Sequence, residues 1–366
     1  MEFGALKERI EKLSYNKLSF LYILKFVLAF AILLQHWRFS SIEMFGNLHE
    51  LVGLGANECY MLISGMLFYL AYYEKLANEE VSPPKFLIKR LLRVYILYVA
   101  TIMCDVLFEI ISNLQVKEFK LNFWDIFRTL FFFGDSFFVN GSESPINYPA
   151  WFLCPLFLSY ILACIIIVVT KKKKSIWWFT IPVIYGFWAY FTNEKLIALP
   201  LIFSPRNSLF VAYFFVGFYL MVFLKGHKVN IWFKLLCFAI CFINLFIHFY
   251  FHDNDKINIY ISEPIANFAI WIPMIIALYG TKINICFDNK VCKHISNYSI
   301  HLWLWHIPFL SFLKMIEYSV SQENRYFMLL YLLLWCLLSY LIQISWKPVY
   351  TFIRKKINSR KNKTLD

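Results

Sequence analysis

The feature that most constrains this chain is a succession of apolar runs that never gives way to an ordinary soluble stretch. LYILKFVLAFAILL, YILYVATIMCDVLF, FLCPLFLSYILACIIIVV and SLFVAYFFVGFYLMVFL are four of them, spread along 366 residues. About 20 apolar residues in a helix cross the hydrocarbon of a bilayer. Charged residues make up only 16% of the chain and hydrophobic ones 60%, where a soluble domain carries about 25% charged residues. A water-soluble globule is therefore excluded, and function must reside in a bundle of membrane helices.

Breaking the runs at charges and at Pro, Gly or Asn clusters predicts ten spans. They fall near 20–37, 52–73, 94–113, 150–170, 176–192, 207–224, 231–250, 266–280, 298–317 and 326–346. The expected fold is an all-α integral membrane protein of about ten transmembrane helices with both termini cytoplasmic. Residues 1–19 read as a cytoplasmic amphipathic lead-in, 20–346 as the transmembrane domain and 347–366 as a basic cytoplasmic tail. No segment between spans is long enough for a second self-supporting domain. The first apolar run is not followed by a small-residue cleavage site, so no removable signal peptide is expected.

Orientation follows from the basic residues. With the N-terminus inside, cytoplasmic segments hold 25 of the 36 Lys and Arg, outer segments 8, and three (Lys25, Lys234, Lys314) lie within spans. This is the positive-inside bias, and it accounts for the net charge of +13 without nucleic acid as a partner. Counting Phe123 to Val139 as another span would put Lys171 to Lys174 outside, against that rule. The segment is read instead as interfacial or re-entrant within an outer loop at 114–149, its irregular backbone buried against protein. Nine cysteines form no C-x-x-C pair. Most sit inside apolar runs and pack as small hydrophobes, so neither a disulfide nor a metal site is expected.

Ionisable groups within spans are costly unless paired or facing a cavity, which makes them the functional candidates. Lys25 and His36 in the first span are eleven residues apart, three turns plus about 20°, hence on one face and about 16 Å apart. A snorkelling lysine and an interfacial histidine beside Trp37 would be the plain alternative. Glu58, near the outer end of the second span, is expected at a depth similar to His36, where its carboxylate could polarise the imidazole. Ser64 and Gly65 follow deeper in the same helix, where small residues also permit close packing. In FLIKRLLRVY, Lys89, Arg90 and Arg93 cluster at the cytoplasmic surface. Arg90 and Arg93 share a helical face and could grip phosphate oxygens or simply anchor topology. The ninth span, ISNYSIHLWLWHIPFL, carries Ser299, His301, Trp303 and His306. Ser299 and His306 lie on one face, whereas His301 and His306 are about 140° apart. An aromatic belt with polar helix contacts would explain the same residues.

Taken together these landmarks resemble membrane acyltransferase family 3, the enzymes that O-acylate bacterial surface sugars. Lys25 and His36 match the opening pair of a basic residue, usually arginine, ten residues and a histidine. Glu58 to Gly65, ECYMLISG, is similar to the second-span acidic, aromatic, S-G pattern. Phe86, Lys89, Arg90 and Arg93 match F-x-x-basic-R-x-x-R. Asn297 to His306, NYSIHLWLWH, resembles the late S-Y-S-x-x-L-W-x-x-H element, and Trp151, Phe152 and Leu153 resemble the family's start of a span after a long outer loop. Lysine at position 25 lacks arginine's planar fork, and ECY is less aromatic than the usual form.

The resemblance implies O-acyl transfer, most often of acetyl from cytoplasmic acetyl-CoA, to a sugar hydroxyl of an envelope polysaccharide or its lipid-linked precursor. It implies His36 and Glu58 as catalytic, Lys25, Lys89, Arg90 and Arg93 as donor-binding, and Ser64, Trp151, Ser299, His301, Trp303 and His306 as lining a cavity. No permanently bound cofactor is expected; acyl-CoA is a co-substrate. The expected partners are the donor, the glycan and membrane lipids, in a bacterial inner membrane, and assembly with identical chains is compatible with the sequence. The rival reading is a transporter or flippase of a polysaccharide precursor whose polar residues line a pathway.

Overall fold

A computed structural model describes residues 17–36, 55–116, 126–127, 129–130, 152–170, 175–192, 205–250, 264–317, 333–346, 348 and 351. No strand occurs among the described residues, and nearly all of them are helical. The longer helices are α1 (Phe20–His36), α2 (Ala56–Phe68), α3 (Pro83–Val116), α4 (Leu153–Val169) and α5 (Thr180–Thr192), then α6 (Pro205–Gly226), α7 (Ile231–Tyr250), α8 (Pro264–Leu278) and α9 (Lys290–Glu317). A further apolar helix, α10, covers Leu333–Trp346. The described part of each expected span falls on one of these helices. By length and composition two helical stretches qualify as membrane spans, Pro83–Phe108 and Asn207–Gly226, and the others are shorter apolar helices.

Helix starts follow local chemistry. Pro83, Pro205 and Pro264 open α3, α6 and α8, the position where proline's missing N–H costs nothing and its fixed φ suits the helix. Asn230 and Asn289 cap α7 and α9, their side-chain oxygens accepting from the backbone N–H of Trp232 at 2.9 Å and Cys292 at 2.8 Å, which serves amides the helix leaves unpaired. Because α3 begins at Pro83, eleven residues before the expected span, Lys89, Arg90 and Arg93 are part of the helix itself. Beyond Phe68 the chain continues from α2 through a π-helical turn at Tyr69–Tyr73 into a short helix, Glu74–Ala77.

The most intimate packing is between α2 and α6. A Cβ at Gly65 would lie 1.8 Å from the carbonyl oxygen of Phe214, and one at Gly217 would lie 2.0 Å from that of Leu62. The two backbones are thus in contact, as small residues allow where helices cannot rely on excluding water. Gly186 does the same for α5, 2.3 Å from the carbonyl of Ser208. Gly65 meets Phe214 and Glu74 pairs with Lys225 at 3.1 Å, so α2 and α6 run parallel. Ile176 meets Tyr219 while Gly186 meets Ser208, so α5 runs against them. Phe68, Phe86, Tyr160, Phe179, Phe214 and Phe218 fill the centre with tilted and edge-on ring contacts, the arrangement ring quadrupoles favour.

The periphery is equally apolar. On α7, Trp232 is 74% exposed, and Phe242, Ile243 and Phe246 also face outward. A surface so rich in large apolar side chains suits lipid rather than water. Of the segment 123–139, residues 126–127 and 129–130 are described, and they are helical. The hydroxyls of Tyr98 and Tyr95 donate to the carbonyls of Thr129 at 2.7 Å and Leu130 at 2.9 Å, which seats these residues beside the middle of α3.

Candidate active site

α1, α2 and α9 are tied at one level. The hydroxyl of Tyr60 donates to the carbonyl of Lys25 at 2.5 Å and lies beside Ser299, whose own hydroxyl donates to Ser296 O at 2.7 Å. The start of α1 lies at the far end of α8, where Gly280 N donates to Lys17 O, while Gly55, before α2, abuts Asn267 and Trp271 near the start of α8. Hence α1 and α2 are antiparallel. The Tyr60 bond seats Glu58, two residues earlier, closer along the bundle to Lys25 than matched helix ends would put it. The charge of Glu58 acts on Tyr213 of α6.

Lys25 is half-buried and lies within electrostatic reach of Arg90 and Arg93. Among the described residues no carboxylate pairs with any of these three cations. The Arg90 guanidinium sits 4.5 Å from the ring of Tyr72, 5.7 Å from that of Tyr160 and 5.8 Å from that of Phe86. The faces of aromatic rings attract cations, so this cage holds the arginine in place without neutralising it. Its Nε is buried and has no hydrogen-bond partner among the described residues. Ser64 lies close to Tyr160, whose ring in turn faces the Arg90 guanidinium. Lys89 and Arg93 are exposed. Three cations, one with an unused donor, gathered beside neutral aromatics form a site suited to an anion with several oxygens.

On α9, Ser299 meets Tyr60, and the ring of Trp303 lies 5.7 Å from that of Phe152, itself 6.3 Å from Tyr60. The buried ring of His306 is bonded through Nδ1 to the carbonyl of Trp303. The Ser299, Trp303 and His306 face thus turns toward α2 and α4. His301 is buried, its Nδ1 without a hydrogen-bond partner among the described residues. Trp151 lies outside the described residues, and so does the side chain of His36, the last residue of α1. Among the described residues no group of three His, Cys, Asp or Glu could hold a metal ion.

Tyr60, Tyr72 and Tyr160 were not singled out from the sequence. Tyr60 stands inside the ECYMLISG motif and Tyr72 eight residues beyond Ser64, but their roles depend on helices far off in sequence.

A helical, largely apolar protein with polar groups buried between its helices has the character of a membrane-associated protein. The chain matches the family model described as an acyltransferase domain over residues 18–344, and it belongs to acyltransferase family 3. No curated protein and no solved structure matches it.

Proposed function

We propose that this acyltransferase is a multipass protein of a bacterial inner membrane, with ten spans and both termini cytoplasmic. It moves an acyl group, most often acetyl from acetyl-CoA, to a sugar hydroxyl of a cell-surface polysaccharide or its lipid-linked precursor. The observation that carries the reading is the set of Lys25, Arg90 and Arg93, which lack a carboxylate partner among the described residues. Each cation fits a phosphate oxygen of a nucleotide-bearing thioester, and Arg90 offers a fork already held by three rings.

A sugar hydroxyl is a poor nucleophile near neutral pH, so a base must take its proton as the oxygen attacks the thioester carbonyl. His36 is assigned that task; Glu58, which the Tyr60 bond seats toward Lys25, is assigned as a negative charge in the same site rather than as a group holding the imidazole. The sugar oxygen bonds to the acyl carbon, the carbon–sulfur bond breaks, and the departing thiolate receives the proton from the imidazolium. Ser64, Ser299 and Trp303 line the path between the cations and Glu58. The test is cleavage of acetyl-CoA by the purified protein, with and without a sugar. Acetyl ester on the sugar supports the reading, and a protein that binds but never cleaves the donor refutes it.

A further inference from the structure

Two lysines outside the donor cluster meet at one residue, Tyr279, where α8 ends. Lys234, in the first turn of α7, donates from Nζ to the carbonyl of Tyr279 at 2.6 Å. Lys17, just before α1, holds its Nζ 5.8 Å from the centre of the Tyr279 ring, and its own carbonyl accepts from Gly280 N at 3.0 Å. Gly280 has φ +62°, the left-handed conformation in which glycine closes a helix. The Lys17 stem crosses it, since a Cβ there would lie 3.6 Å from Lys17 Cγ. The start of α1, the end of α8 and the start of α7 are thus joined around two ammonium groups within electrostatic reach of each other.

The charge of this spot is unmet. Among the described residues neither lysine has a carboxylate partner, and Asp288, shortly before α9, is taken by Lys293 at 2.6 Å. An ammonium carries three N–H donors, of which the Tyr279 carbonyl takes one from Lys234. Lys17 is exposed and Lys234 partly so, so both are within reach from outside the bundle. Lys234 stands on the seam between the helix pair and its surroundings. Cys237, one turn on, is buried, whereas Ile231 and Phe238, a turn to either side, are 61% and 49% exposed. Trp232 and Leu235 also face out, as does Ile285 beyond α8.

Cations bordered by outward-facing apolar groups suit a ligand that joins an anion to hydrocarbon. A free phosphate would answer the lysines and leave the apolar border uncovered, and a zwitterionic headgroup brings a cation of its own. We infer that Lys17 and Lys234 bind the phosphate of an anionic phospholipid whose acyl chains run along the exposed start of α7. Basic side chains at a membrane surface attract such headgroups, and long lysine stems carry the charge to that level. The site is separate from the donor cations, since Arg90 and Arg93 belong to α3 and Lys25, which they reach, lies more than a turn inside α1. A lipid held there ties α7 to the start of the helix that carries Lys25 and His36.

The test is native mass spectrometry of the full-length protein in detergent, titrated with phosphatidylglycerol, with phosphatidylcholine of the same chains, and with soluble glycerol phosphate. Phosphatidylglycerol should bind about tenfold tighter than either of the others. Lys17→Gln should weaken its binding about fivefold, and the double variant with Lys234→Gln about 30-fold. Glutamine at 234 keeps a donor for the Tyr279 carbonyl; should the double variant still fail to fold, Lys17→Gln decides alone. Lys85→Gln, at an exposed lysine near the start of α3, should leave the affinity at its parent value. Phosphatidylcholine or glycerol phosphate binding as tightly as phosphatidylglycerol would overturn the site. Parent affinity in the lysine variants, or an equal loss in Lys85→Gln, would do the same. Displacement of the lipid by acetyl-CoA would make these lysines part of the donor site and overturn the inference as well.

Discussion

Replacing Arg90 separates a donor-binding cation from a topology anchor. Its guanidinium touches three rings at 4.5–5.8 Å and lies near Lys25. Truncation to alanine forfeits cation–π attraction of about 0.5–2 kcal/mol but relieves repulsion from Lys25, so the two effects on folding oppose each other. The net change in stability should stay within about 1 kcal/mol. Donor binding has no such offset. One charge-assisted hydrogen bond to phosphate contributes about 1.5–3 kcal/mol, so Arg90→Ala should weaken acetyl-CoA binding by about 10- to 150-fold. Arg90→Lys should recover only part of this, because an ammonium lacks the fork and stacks less well on rings. Titration calorimetry on protein in detergent, with melting followed in parallel, reads both quantities. An unchanged Kd in a folded Arg90→Ala variant would refute the phosphate-binding assignment.

The remaining predictions concern packing, chemistry and topology. Gly65→Ala should destabilise the protein by about 1–3 kcal/mol or more, because the new methyl meets the Phe214 carbonyl where two backbones already touch and overpacking forces them apart; an unchanged melting temperature would show that α2 and α6 are not so closely held. His36→Ala should lower sugar acylation by about 100- to 10,000-fold with acetyl-CoA binding intact, and Glu58→Gln should give an intermediate loss; a deficit of only a fewfold at His36 would remove it as the base. In a background lacking accessible thiols, Lys172→Cys should react with an impermeant reagent only from the cytoplasmic side, and labelling from outside would overturn the ten-span topology.

Much of the helical layout was legible in the sequence because helix formation is a local property. The apolar runs mark α1 to α10, and Pro83, Pro205 and Pro264 open their helices through a fixed φ and an absent N–H. The spacing of Arg90 and Arg93 put both on one face, as any α-helix must. What could not be read was which helix meets which. In a chain apolar on every side, hydrophobicity does not distinguish a lipid-facing surface from an interhelical one, so pairing is decided by close packing and by a few polar contacts. Tertiary structure alone brings Gly65 and Gly217 into backbone contact across α2 and α6, although ordinary glycines in apolar runs would look the same. It alone brings Lys25 within electrostatic reach of Arg90 and Arg93, more than 60 residues later in the chain, and sets Tyr60 near Ser299 and Tyr160 near Ser64. Asn267 and Trp271 look in sequence like routine residues of an apolar helix. Only the tertiary structure sets Gly55, more than 200 residues earlier, so close against them that a side chain there would overlap both.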